Sequence, residues 1–199
     1  MAITFDAAAK GTGNQGSSVT WSHTCTGTSL YLFVLTGYVG TISPTDVTYN
    51  GVAMTKIFNI NSSDNTDLWM LANPTTGANN VVATWSSSGA WKNGCSASYT
   101  GVKQTGQPDV QTTPTRNSST NTLSDTITTI TDNSWDICAG FSSASDLAAG
   151  ASTTLRGTTA AVGDGFHFLG IFDNNAAKTP AGNVTLTITC TAGNVAAIG

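Results

Sequence analysis

Short runs of apolar residues alternate with turn signals along the whole chain. From Val19 to Cys25 the alternation is strict and puts Val19, Trp21, His23 and Cys25 on one face of a strand. Ser29 to Thr36 (SLYLFVLT) is apolar on both faces, which predicts a central strand covered from two sides. Asn50-Gly51 is the pair favoured in a two-residue type I′ hairpin. It would set Tyr49 opposite Val52 and Val47 opposite Met54, burying four side chains on one face. A first strand is read at Ile3 to Phe5, followed by a loose Gly/Ser loop from Ala9 to Ser18. Further strands are expected at Asp67 to Ala72, Asn80 to Trp85, Cys95 to Val102 and Asn121 to Ile130. Three more are expected at Ser134 to Phe141, Phe166 to Phe172 and Val184 to Cys190. About ten strands at this spacing predict an all-β chain, a single antiparallel β-sandwich domain over residues 1–199. The polar stretch near residues 104–121 reads as a long exposed connection within it. Ala144 to Gly165 is a second soft region with room for a helical turn at Asp146 to Ala149, and no repeat of fixed period stands out.

Composition strengthens the all-β reading. The 199 residues include no glutamate, whereas threonine and serine together account for 55 of them. The residues that build helix surfaces are scarce, and those that suit a pleated surface dominate. Only 9% of residues are charged, against roughly 25% in typical soluble domains. A net charge of −4 and scattered cations (Lys10, Lys56, Lys92, Lys103, Arg116, Arg156, Lys178) argue against a nucleic-acid partner. The longest apolar run, Leu30 to Leu35, is far short of a membrane span, so no membrane association is expected. The first residues carry no basic stretch followed by an apolar segment, so export by a signal peptide is not expected. A hydroxyl-rich surface without an export signal suits a protein that folds in a host cytoplasm and leaves in a virus particle; a chain that has lost its signal by processing would fit too.

Candidate chemistry is sparse. Gly11-Thr-Gly-Asn-Gln-Gly16 matches the dinucleotide-binding fingerprint in letters, but a strand rather than a helix is expected after it, so it reads as a loop. The two histidines, His23 and His167, lie within strand patterns and adjoin no nucleophile elbow. No pair among the eleven aspartates is singled out by spacing for glycoside hydrolysis. The Asp64–Asp67 and Asp173–Asn175 clusters are oxygen-rich, and turn chemistry accounts for them without calcium. Glycosylation sequons occur at Asn61, Asn117 and Asn183. The four cysteines form no C-x-x-C pair, so no zinc is expected. Cys25 and Cys190 share the pattern V-T-x-x-x-T-C-T. They would be bridged if their strands were neighbours; otherwise all four are small buried thiols. Trp21, Trp69, Trp85 and Trp135 read as core or sheet-face residues. Trp91, in the polar loop Ser86 to Gly94, and Tyr38, in Gly37-Tyr-Val-Gly40, are the candidates for a surface interaction.

One ordered set of motifs goes further. VTYNGVAMTKI (Val47 to Ile57), LWMLANPTTGANNVVATW (Leu68 to Trp85) and SASYTGV (Ser96 to Val102) succeed one another. With TWSHT before them, they resemble a group of β-sandwich modules found in tailed-phage virion proteins and in bacterial surface proteins. The resemblance covers roughly residues 3–102; the second half matches only as generic strands. It implies a jelly-roll or Ig-like sandwich used for attachment or display, and within that group a capsid decoration or cement protein. The partners it implies are the major capsid protein and further copies of the chain, and the low charge adds the expectation of symmetric self-association as a trimer at or near a lattice threefold. The alternative is a carbohydrate-binding module or lectin-like attachment protein, with a glycan as ligand. Neither reading needs a cofactor, a metal or catalytic residues, and an enzyme is not expected.

Overall fold

The computed structural model describes residues 2–61, 65–112, 115–116, 120–142, 146–159, 168–191 and 195–198. Every element among them is a β-strand, and every pairing is antiparallel. The first half contributes β1 (Thr4–Asn14), β2 (Ser18–Cys25), β3 (Tyr31–Tyr38), β4 (Asp46–Tyr49), β5 (Val52–Ala53), β6 (Thr55–Asn61), β7 (Asn65–Ala72), β8 (Gly77–Thr84) and β9 (Lys92–Thr100). The second half contributes β10 (Thr115–Arg116), β11 (Thr122–Thr128), β12 (Ile137–Ser142), β13 (Leu147–Ala149), β14 (Thr154–Thr158), β15 (Phe168–Asp173), β16 (Asn183–Cys190) and β17 (Val195–Ile198).

These strands form four sheets. In the first half they run β1-β9-β3-β7-β6 and β2-β8-β4-β5; in the second, β10-β17-β12-β15-β14 and β11-β16-β13. Three cores lie between them. Val19, Trp21, Leu32, Val34, Tyr49 and Val81 fill the space between the two first-half sheets. Leu123, Leu147, Phe172, Leu186 and Ile188 do the same in the second half. The third core joins the halves: Leu35, Leu68, Ala97 and Tyr99 meet Ala139, Phe141, Leu169 and Ile171. The chain is therefore a stack of four sheets, with the two five-stranded sheets in the middle. This explains why β3, the centre of its sheet, is apolar on both faces from Tyr31 to Leu35: Leu32 and Val34 face one core, Phe33 and Leu35 another.

The halves repeat one topology. Pairing β1 with β10, β2 with β11, β3 with β12, β4 with β13, β6 with β14, β7 with β15, β8 with β16 and β9 with β17 reproduces both strand orders, leaving only β5 unmatched. A bulge recurs at the same place, between Lys56 and Phe58 on β6 and between Leu155 and Gly157 on β14. The repeat lies in strand order and bulge position rather than in residue identity, so no sequence period reveals it.

The expected antiparallel all-β architecture holds, with seventeen strands rather than about ten among the described residues. Several boundaries differ. Ala9 to Asn14 continues β1 instead of forming a loop, because Gly11 pairs with Gly94 opposite the Trp21 ring. Leu147 to Ala149 is a strand rather than a helical turn, held by pairing with Cys190, Thr189 and Ile188. The hairpin at Asn50-Gly51 forms with Tyr49 opposite Val52, both turn residues having positive φ (49° and 75°). Val47, Tyr49 and Met54 are buried, but Val52 at the tip is 51% exposed.

Candidate functional site

Tyr38 is not a surface residue. It ends β3 with its side chain in the first core and is 6% exposed. Its ring stacks on Trp85 at 6.5 Å, and the Lys92 ammonium lies 5.0 Å from its centroid. Lys92 is itself buried and donates to the Ala90 carbonyl at 2.9 Å; loss of hydration lowers its pKa. Trp91 is half-buried, and its carbonyl accepts the Val39 N–H at 3.0 Å. Of the two surface-interaction candidates, Tyr38 is thus a core residue at the end of β3, and half-buried Trp91 is tied to the β3 end through its backbone.

The condition for a Cys25–Cys190 bridge is not met, and the alternative of four buried thiols holds. All four thiols are free and buried, with Cys25 in the first-half core and Cys190 in the second-half core. Their strands lie on opposite sides of the stack, so the shared sequence pattern reflects strand chemistry rather than proximity. Of the Asp64–Asp67 cluster, Asn65 to Asp67 belong to buried β7, and Asp64 lies outside the described residues, as do His167 and Asn117. Asp67 accepts from Lys56 at 3.0 Å, from Asn59 at 2.9 Å and from Asn65 at 3.2 Å. Among the described residues, no group of three or more His, Cys or Asp side chains is placed to hold a metal.

His23 is 1% exposed and sits in a chain of hydroxyls. Trp21 Nε1–H donates to Ser96 Oγ at 3.0 Å, which lies 2.9 Å from His23 Nδ1; His23 Nε2 lies 3.0 Å from Ser98 Oγ. Ser98 Oγ–H donates to Asp6 at 2.7 Å, so its oxygen accepts from His23 and the proton belongs on Nε2. Burial pushes the imidazole down to about 4, partly opposed by Asp6, and keeps it neutral. A buried neutral ring whose two nitrogens are both satisfied has no access to substrate. This network braces the first-half sheets.

A concave feature lies between the halves. A cleft of about 420 Å³ opens beside the shared core. Phe33, Leu68 and Met70 line it from the first half, and Trp135 and Ile137 from the second. Lys103 and Asp132, both exposed, and half-buried Asp109 stand at its rim. Asp109 accepts from Thr131 Oγ at 2.7 Å, and Asp132 from the Ala181 N–H at 2.7 Å. Asp136 differs, being 6% exposed and accepting one long hydrogen bond, 3.4 Å from Asn174 Nδ2. Burial first, and then Asp109, push its carboxyl up to about 6 against the pull of Lys178. Trp135 packs edge-on against Tyr99 at 5.9 Å.

Beside the cleft the halves are locked by polar contacts. Tyr99 Oη–H donates to Asp173 at 2.9 Å, and Arg156 grips the same carboxylate through Nε at 2.7 Å and Nη2 at 3.2 Å. The Arg156 guanidinium lies 4.5 Å above the Phe5 ring. Asn93 donates to Thr159 at 3.1 Å across the same interface. The sequence pattern marks Trp135 only as a core or sheet-face residue and does not single out Asp136, because the residues that meet them in the cleft come from first-half strands distant in sequence. Apolar walls beside a buried carboxylate suit the arrangement to receiving a small ligand. Comparison with family models, with curated proteins and with solved structures found no match to this chain.

Proposed function

We propose that the protein is a non-enzymatic structural component of a virus particle, a decoration or cement protein on the outside of a phage head. The observation that carries this reading is the finish of the two outer faces of the stack. On β2, Ser18, Thr20, Ser22 and Thr24 are exposed; on β11, Thr122, Ser124, Thr126 and Thr128 are. Ser124 and Thr126 pair with Thr187 and Thr185 at 2.8 and 2.7 Å, and Thr128 donates to Asn183 at 2.7 Å. Rows of uncharged hydroxyls on a rigid stack give an extended surface that loses little charge hydration when pressed against a lattice or a neighbouring copy. The buried polar groups brace sheets and halves rather than perform chemistry. The sequence resemblance of residues 3–102 to virion modules points the same way.

The partners on this reading are the major capsid protein and further copies of the chain, arranged as a trimer. Equilibrium sedimentation tests the self-association, and a monomer at high concentration counts against it. Immunogold labelling of particles from the source culture tests the location. Regular labelling of heads supports the decoration role, labelling confined to tails moves the role to attachment, and bare particles overturn it.

A further inference from the structure

The cleft between the halves has features that a purely structural role leaves unexplained. The positions are related by the internal repeat. Counting from the shared bulge, Ile57 and Met70 in the first half occupy the places that Arg156 and Asp173 occupy in the second. Arg156 and Asp173 form an ion pair that closes the interface over Phe5 and Tyr99. Ile57 and Met70 are apolar and line the open cleft. One arm of the repeat is sealed by its own charges, while the other leaves an apolar concavity, the usual form of a ligand site.

From this we infer that the cleft binds a compact ligand joining an apolar or aromatic body to a single cationic group. The apolar body has Phe33, Met70, Leu68 and Ile137 to cover it, and Trp135 offers the aromatic surface that attracts a cation. The cationic group has Asp136, a nearly sealed carboxylate whose only hydrogen bond from the described side chains is long. The other charged groups around it are Asp109 and Asp132, each already bonded, Lys103 at the exposed rim, and Lys178, whose backbone pairs with Ser134. Tyr31 and Tyr99 also line the cleft and stay neutral, their pKa values raised by burial. A neutral ligand would leave Asp136 with only Lys178 and the long Asn174 bond to offset its charge, and an anion would be repelled by it. This site is independent of where the protein sits on a particle.

Three probes of similar size separate charge from shape: phenethylamine, 2-phenylethanol and phenylacetate. Binding is read from the Trp135 indole N–H signal in two-dimensional NMR, assigned through Trp135→Phe. At pH 7.5 phenethylamine should bind about tenfold or more tightly than phenylethanol, and phenylacetate least. Below pH 6, where Asp136 takes up a proton, the preference for the amine should shrink, and Asp136→Asn should abolish it. Equal binding of the three, a preference for phenylacetate, or no perturbation by any would overturn the assignment. So would a preference that survives in Asp136→Asn. If that variant does not fold, the pH titration of the unmodified protein decides alone.

Discussion

His23 and Asp136 are both nearly sealed from water, and their protonation equilibria push stability in opposite directions. His23 titrates near 4 in the folded protein and 6.5 when unfolded, so between those values the unfolded chain binds more protons. Its contribution is present above pH 6.5 and is lost as pH falls toward 4, by roughly 3 kcal/mol at about 1.4 kcal/mol per unit. Asp136 titrates near 6 when folded and 3.8 when unfolded, so the folded protein binds more protons in that window. Its contribution is gained as pH falls and lost as pH rises, again by roughly 3 kcal/mol. The two nearly cancel between pH 4 and 6.5. Asp136→Asn removes one side of the balance. The variant should be more stable than the parent at pH 7 by up to about 3 kcal/mol, and should lose that advantage by pH 4. Urea midpoints across this range check it; parallel curves for the two proteins would show that Asp136 does not carry the shift.

At the scale of the element, Trp21 shows how a strand is fitted to its neighbour. The indole crosses from β2 into a slot in the opposing sheet made by Gly11 and Gly94, which pair in register. A Cβ on Gly94 would meet the Trp21 ring at 2.6 Å, and one on Gly11 would meet it at 2.8 Å. Gly94→Ala should therefore cost about 1–3 kcal/mol by overpacking. Combining it with Trp21→Leu should cost less than the sum of the separate changes, as thermal unfolding of the four proteins would report. The same slot marks the limit of legibility. The alternation of Val19 to Cys25, the two-faced β3 and the Asn50-Gly51 hairpin can all be read because each is written in local pattern. Gly11 looks like a loop residue until the ring it accommodates is seen, which is why the sequence pattern ends β1 too early. Tyr38 between two glycines looked exposed for the same reason: its partner Trp85 is 47 positions away. Trp135, Asp136, Phe33 and Met70 become one cleft only when the halves stack, an arrangement no local pattern encodes.

At the scale of the whole molecule, the two halves each own a core, so what makes them one unit is the third core and the Arg156–Asp173–Tyr99 lock. Asp173 is fully buried, and Arg156 holds it with two hydrogen bonds. Removing the arginine leaves that carboxylate without its counter-charge, held only by the Tyr99 hydroxyl and the Asn175 N–H, a cost of about 3–5 kcal/mol for a buried pair of this kind. The loss falls on the contact between halves rather than on the Trp21 or Ile188 cores, which lie in the outer layers. Four of the five tryptophans (Trp21, Trp69, Trp85 and Trp91) belong to the first half, so their fluorescence reports on that half while circular dichroism reports on both. In the unmodified protein the two signals should follow one denaturation curve, because the shared core ties the halves together. In Arg156→Ala they should part, the second half being lost at lower denaturant because its outer sheet has three strands against four. Two signals that remain superimposed while the midpoint drops would mean that the third core alone couples the halves and that the lock adds stability without adding cooperativity.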